Sequence, residues 1–179
     1  MRHSHKNMKF NSNMNQKDSL SASAIDTSIE LTSDDLDTLV YMYQEEKLAM
    51  DVYDSFADQY DARIFDKISN SEQKHLDSIE NILTQYDVNI DNLEILDEGE
   101  FLNEDLQSLY DTLIEQGSVS LEEALNVGII IEETDIADLN EYLQEDVNPN
   151  IDMIYSNLEN GSQNHLNAFT MVLDDGLFL

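Results

Sequence analysis

The sequence predicts an all-α chain: a four-helix bundle built from two helical hairpins, with a short extra helix in the crossover that joins them. Three observations carry this. Apolar residues recur at helical spacing, and no stretch alternates at period two for long enough to make a strand. One Pro and five Gly in 179 residues leave few places where regular structure must break. A histidine-centred segment also occurs twice, as Ser-Glu-Gln-Lys-His-Leu at 71–76 and Gly-Ser-Gln-Asn-His-Leu at 161–166. Setting Glu72 on Ser162 and His75 on His165 brings Leu76 onto Leu166 and Ile79 onto Phe169. Apart from His3 and His5, no other histidine is present, so each half carries one at the same place in its pattern.

The elements follow in order. Residues 1–30, rich in Asn, Ser and Lys without an apolar period, read as a disordered tail, and 31–179 as the bundle domain. Helix one starts at Thr32 or Ser33, with Asp34 and Asp35 in the first turn where acids suit the helix dipole. Its stripe is Leu36, Leu39, Val40, Tyr43, Glu46, Met50, Tyr53 and Ala57. Helix two spans about 62–85, with Phe65, Ile68, Glu72, His75, Leu76, Ile79, Ile82 and Leu83 in phase. A connection over 87–102 carries an apolar segment at Leu93, Ile95 and Leu96 and a turn at Gly99. The short helix, about 103–116, is capped by Asn103 and stopped at Gly117. Ser120-Leu-Glu-Glu123 is a capping box opening helix three, about 121–145, on which Leu125, Ile129, Glu132, Ile136, Leu139 and Leu143 share a face. Asn148-Pro149 restarts the chain into helix four, about 149–173, with Ile151, Tyr155, Leu158, Ser162, His165, Phe169 and Val172 in phase.

Charge removes whole classes of function. Thirty-nine acids face eight Lys and Arg, for a net charge of −31, and no base follows Lys74. Such a chain cannot neutralise a nucleic-acid backbone, nor dock on an anionic membrane surface. No apolar run is long enough to span a bilayer and no secretory leader is visible, which reads as a cytoplasmic protein. Without cysteine, any metal must be held by nitrogen and oxygen ligands.

The chemistry lies where the apolar stripes carry acids. Glu46, Glu72 and Glu132 fall in register with core positions, as do His75 and His165. An ionised carboxylate buried without a partner costs several kcal/mol, so three facing inward call for a compensating cation, and a divalent metal pair is one. Glu72 and His75, three apart, stand on one side of their helix and can bind one ion together; Glu132 and Asp135 share that spacing. Glu45 and Glu133 compete with Glu46 and Glu132, since adjacent helical residues point about 100° apart and normally one of each pair faces inward. Tyr53 and Tyr155 read either as donors to the ligands or as plain packing.

Helix two, Ile68 to His75, resembles the second helix of rubrerythrin-type ferritin-like proteins, and Glu46-x-x-Ala49-x-x-x-Tyr53 is similar to their first ligand helix. The stretch from about 33 to 173 resembles an uncharacterised ferritin-like family of bacteria and archaea, the domain of unknown function 2202. The residues carrying the likeness are Glu-Glu-Lys-Leu-Ala at 45–49, Ile-Glu-Glu-x-Asp-Ile at 131–136 and Gly-Ser-x-Asn-His-Leu at 161–166. Paired hairpins joined by a longer crossover match ferritin-like connectivity. The resemblance implies a carboxylate-bridged di-iron site, with Glu46, Glu72, His75 and His165 at motif positions. One departure matters. The superfamily's fourth helix repeats Glu-x-x-His, but here the glutamate position is Ser162, and Asp135 stands as a replacement from the neighbouring helix.

The expected ligand set is therefore Glu46, Glu72, His75, Glu132, Asp135 and His165, around two iron ions, with manganese as the alternative. Glu46 and His75 would hold one ion, Glu132 and His165 the other, with Glu72 shared. Two ferrous ions in such a cage would reduce dioxygen or peroxide, fed by an external electron donor. Competing expectations are metal binding or iron storage without catalysis, and a metal-free bundle that has lost its site. A homodimer is open to it.

Overall fold

The structure is a computed structural model and describes residues 25–94, 96–145 and 148–176. Among them are six helices and no strand: α1 Ser33–Tyr60, α2 Arg63–Gln85, α3 Asp91–Glu94, α4 Glu104–Gly117, α5 Leu121–Tyr142 and α6 Pro149–Asp175. The expected tail lies outside the described residues up to position 24, with His3 and His5, as does Ile95. No described helix is long and apolar enough to cross a membrane.

Caps explain most of the boundaries. Thr32 accepts from the Asp35 amide at 3.1 Å while the Asp35 carboxylate accepts from the Thr32 amide at 2.8 Å, closing a reciprocal box at the start of α1. Asn103, Ser120 and Asn148 likewise accept from amides in the first turns of α4, α5 and α6. Residues 25–30, assigned to the tail by composition, are tied down. The Asp26 amide donates to Asn150 at 3.1 Å, and the Tyr86 hydroxyl to the Ile29 carbonyl at 2.7 Å. α5 ends at Tyr142, three residues short of the expected boundary.

A polar layer at mid-height splits the apolar core in two, and the split gives the direction of every long helix. Leu39, Met42 and Tyr43 of α1 join one cluster, with Leu76 to Leu83 of α2, Leu139 of α5 and Ile151 to Leu158 of α6. Leu48 to Phe56 of α1 join the other, with Phe65 and Ile68 of α2, Ala124 to Ile131 of α5 and Phe169 of α6. So α1 and α6 run one way, and α2 and α5 the other. α1 packs chiefly on α2 and α5 on α6, as two antiparallel hairpins. Because α2 and α5 are parallel, the chain between them must travel the length of the bundle. That crossover enters beside Ile90 and Leu93 in one cluster and leaves beside Phe101, Leu106 and Leu113 in the other.

The crossover is pinned to α1 by a buried cation. Lys47 bonds Asp51 at 2.5 Å and the Asp97 carbonyl at 3.0 Å, and sits 4.8 Å from the centre of the Phe101 ring. The Gly99 amide donates to the same Asp51 carboxylate at 2.8 Å, in a turn where Gly99 has φ +75°. α4 then lies against α1 and α5. It buries α1 almost all round from Met42 to Ala49, which one amphipathic stripe does not describe.

Gly117 plays a different part from the one expected. It is the last residue of α4 rather than a left-handed stop, and Ser118 caps the helix in ordinary helical geometry. A Cβ on Gly117 would stand 2.0 Å from Cζ of Phe56, which is fully buried. The position is glycine because the ring of α1 occupies the space of a side chain. Gly117→Ala is expected to destabilise the fold by about 1–3 kcal/mol through overpacking, measured as a fall in the urea midpoint at unchanged slope.

Candidate metal centre

The mid-height layer is polar because all four long helices put acids or imidazoles there. Glu46 of α1, Glu72 of α2 and Glu132 of α5 are each 2% exposed; His75 of α2 and His165 of α6 are nearly as buried. Of the adjacent pair, Glu132 is the one buried in the layer and Glu133 is exposed. Glu45 is a correction. It is buried alongside Glu46, because α5 meets α1 where only one inward acid was expected.

Glu72 sits between the two rings. Its Oε2 lies 2.6 Å from Nδ1 of His75, and its Oε1 lies 2.8 Å from Nδ1 of His165. Glu46 Oε2 stands 3.1 Å from the same nitrogen of His75, and Glu132 Oε2 3.5 Å from that of His165. The imidazoles are 5.6 Å apart between centroids, with planes 27° from parallel. Two triads result, Glu46–Glu72–His75 and Glu72–Glu132–His165, and the ligand atoms of each lie within 4.8 Å of one another.

Asp135 belongs to neither triad. Ser162, where α6 lacks a carboxylate, donates its hydroxyl to Asp135 Oδ2 at 2.5 Å. Asp135 Oδ1 is buried without a partner. Serine thus holds an acid from the neighbouring helix in place of supplying one. Tyr53, fully buried, donates to Glu132 Oε1 at 2.7 Å, so it is a donor as well as packing. Gly161 went unremarked in the sequence, although a glycine inside a helical pattern is itself a signal. A Cβ there would stand 2.5 Å from Nε2 of His75, so α6 lacks a side chain where the α2 ring needs room.

Four carboxylates and two imidazoles share this buried layer, and their affinities for protons shift accordingly. Burial opposes the charged ring of His75, yet Glu46 and Glu72 beside it outweigh burial and hold it up at about 11. His165 is likewise raised, to about 9, by Glu132 and Glu72 against burial. Burial drives Glu72 upward, but both imidazoles overcome it and bring it to about 2. Burial raises Glu46 well above the usual carboxylate range, with the Asp135 charge adding to it. Glu132 and Asp135 rise to about 7 and about 6, chiefly by burial.

The residues fit a metal pair. Two atoms each about 2.1 Å from one ion and at right angles to each other stand about 3 Å apart, and the four nitrogen–oxygen contacts here run from 2.6 to 3.5 Å. His165 Nδ1 and Glu72 Oε1 approach to 2.8 Å yet neither has a hydrogen-bond partner. Glu46 Oε1 is also buried without a partner. Four carboxylates (Glu46, Glu72, Glu132 and Asp135) match two divalent cations in charge. Beside the layer lies a cavity of about 40 Å³ whose lining mixes acids (Glu45, Glu46, Glu72, Glu132 and Asp135) and Thr134 with apolar side chains such as Leu106, Leu109 and Ile130. A water occupies about 10–15 Å³ on this measure, so only molecules of a few heavy atoms fit.

Two outcomes follow for solution experiments. The imidazoles and the raised carboxylates bind protons more tightly folded than unfolded, so their stabilisation is whole below their ordinary values and drains away as pH rises through 6, 7, 9 and 11. Glu72 acts oppositely, and its share is lost only as pH falls toward 2. Chelator-treated protein is therefore expected to lose urea resistance between pH 6 and 9, and excess Mn²⁺ to abolish that loss. Gly161→Ala is expected to displace the His75 ring and weaken metal binding by about 10–100-fold, read by competition with a chromophoric chelator.

The chain and its fold are similar to known proteins. The chain is similar to the uncharacterized protein MJ0754 of Methanocaldococcus jannaschii, 37% identical over 145 residues, which are 81% of this chain and 78% of that protein. It superposes on the crystal structure of hypothetical protein MJ0754 from Methanococcus jannaschii with a TM-score of 0.77 at 36% identity, covering 82% of this chain and 83% of that one. The family model of the uncharacterized protein domain DUF2202 matches residues 35–177. By that match, which spans both helical hairpins, the chain belongs to the DUF2202 family.

Proposed function

We propose that this chain is a ferritin-like protein that holds two transition-metal ions, iron with manganese as the alternative, and reduces a small oxidant at them. The observation that carries the reading is Glu72, whose two oxygens each meet an imidazole nitrogen from a different helix. A structural salt bridge needs one such contact. A carboxylate caught between two nitrogen donors, each with its own further glutamate, is the arrangement of a bridging ligand between two ions. The ferritin-like assignment draws on the reversed second hairpin, which makes the crossover run the bundle's length.

In this reading Glu46 and His75 would hold one ion and Glu132 and His165 the other, with Glu72 shared. Iron held there would supply one electron from each ion for the reduction of dioxygen or peroxide. The chain's own residues orient the carboxylates. Tyr53 fixes the Glu132 carboxylate through its hydroxyl. Ser162 holds Asp135 with one oxygen still free at the cavity. Leucine and isoleucine side chains line the cavity beside the layer. With no cysteine in the chain, electrons must come from an external donor.

Elemental analysis of protein purified without chelators is expected to find about two ions per chain, from the two triads. Glu72→Gln is expected to weaken binding at both positions by at least about ten-fold. Saturating metal at about a hundred times its dissociation constant should add about 2.7 kcal/mol of stability to the native chain. Iron-loaded protein that consumed peroxide and dioxygen no faster than free iron would leave a metal-holding bundle without the redox activity. Metal-free protein with unchanged Glu72→Gln behaviour would remove the reading altogether.

A further inference from the structure

We propose that the seam between α2 and α6, over the outer edges of His75 and His165, docks an electron-carrying protein with an acidic face. The inference rests on the metal pair proposed above and names the partner that reduces it.

The buried layer has two unlike sides. The cavity beside it is lined by Glu46, Glu72 and Glu132, but by neither imidazole and by nothing from α6. The histidines face the other way. Their Nδ1 atoms meet the glutamates, and Nε2 of His75 turns to α6, 2.5 Å from the place of a Cβ on Gly161. Each imidazole side chain keeps 11% of its surface exposed, against 2% for Glu72 between them. With the Nδ1 edges turned inward, that exposure falls on the outer edges. An oxidant can thus sit in the cavity while a carrier meets the rings from the opposite side.

The surface around those edges differs from the rest of the chain. Among the described residues three bases are exposed, Arg63, Lys67 and Lys74, and all stand on α2. At 100° per residue they fall within about 40° of one another, on one outward stripe. The acids of α2 outside the layer, Asp66, Asp77 and Glu80, lie past that stripe on the side of Ser69, which bonds Asp54 of α1. The other side of the stripe leads to His75 and α6. None of the three bases joins an ion pair among the described residues, so their charge is free for a partner. Across the seam α6 offers amides. Asn157, Asn160 and Asn164 are exposed on the side of Gly161. Glu159, the one acid between Asp152 and Asp174, falls instead beside Ser162, which faces α5 through its bond to Asp135.

Charge selects the partner. At a net charge of −31 the chain as a whole repels an anionic protein. At physiological salt, however, charges act over only about 8 Å, so the patch under contact decides. Three unpaired bases spread along about 16 Å of helix attract an acidic face. A cationic carrier finds acids over most of the remaining surface and nothing that holds it at the imidazoles. The encounter belongs with the small interfaces, under about 1,200 Å², of transient electron-transfer complexes. The carrier loses one electron at each encounter. Two encounters match the two electrons that turn one hydrogen peroxide into two waters, with two protons drawn from solvent.

The first test needs no turnover. The inert paramagnetic anion hexacyanochromate(III) is titrated into zinc-loaded, ¹⁵N-labelled full-length protein, with hexaamminechromium(III) as the cationic control. The anion is expected to broaden amides over 63–74 and 157–164, and the cation to broaden the acidic surface elsewhere. Lys67→Glu combined with Lys74→Glu should abolish the anion's effect. The second test uses iron-loaded protein oxidised by peroxide, with a reduced plant-type [2Fe–2S] ferredoxin of net negative charge as the donor. The double variant is expected to be reduced at least about ten-fold more slowly, the scale on which charge steers association. Its iron content and its rate of peroxide consumption in the ferrous state should match wild type. If the anion gathers elsewhere, or ferredoxin reduces variant and wild type alike while both hold iron, the docking face is wrong and the metal pair stands. A dimer in light scattering whose seam the anion cannot reach gives the face to a second copy and overturns the carrier. If elemental analysis finds no metal bound, the pair falls and the carrier with it.

Discussion

Ionised groups buried at mid-height are the constraint on which this molecule turns. Glu72 is held between two imidazoles at 2.6 and 2.8 Å, with Glu46 and Glu132 outside them. None of these groups would leave water singly, since an isolated buried charge costs more than packing returns. Together they are tolerable only because four helices bring opposite partners to one level. Each element must therefore keep its length, direction and rotation. The apolar clusters above and below the layer do that, and an error of one residue in any helix would turn an acid into hydrocarbon.

Helix direction has consequences beyond the layer. With α2 and α5 parallel, the connection between them must climb the bundle, and Lys47, Asp51 and Gly99 clamp it to α1 as it does so. The climb ends in α4, which rests on α1 and α5 and encloses the cavity beside the layer. A feature that reads as a mere connection thus gives the site its apolar wall.

Much of the layer was legible in the residues. Helical phase put Glu46, Glu72, Glu132, His75 and His165 inward, because a period of 3.6 either returns a side chain to the apolar stripe or does not. The repeat around the two histidines announced that two helices would face one another at equivalent heights. What phase could not supply was a neighbour. Glu45 is out of phase with the α1 stripe and is buried because α5 and α4 cover that side. Gly117 and Gly161 look like helix breakers, yet each sits within a helix where another chain segment's ring, Phe56 or His75, fills the place of a side chain. Asp135 shares its spacing with Glu132, but its tie to Ser162 needed the two helices to be seen together.

The sequence alone determined that the chain is helical, that helices open at Thr32 or Ser33, at Asn103, at Ser120 and after Asn148, and that acids and imidazoles share its apolar faces. These follow from local rules, since capping and amphipathic phase involve residues only a turn or two apart. Only the tertiary structure decided which acids meet which ring, that one glutamate lies between both, and that a serine holds an aspartate in the place of a missing ligand. Those contacts join residues far apart in the chain. They depend on how helices lean and rotate against one another, which no single helix encodes.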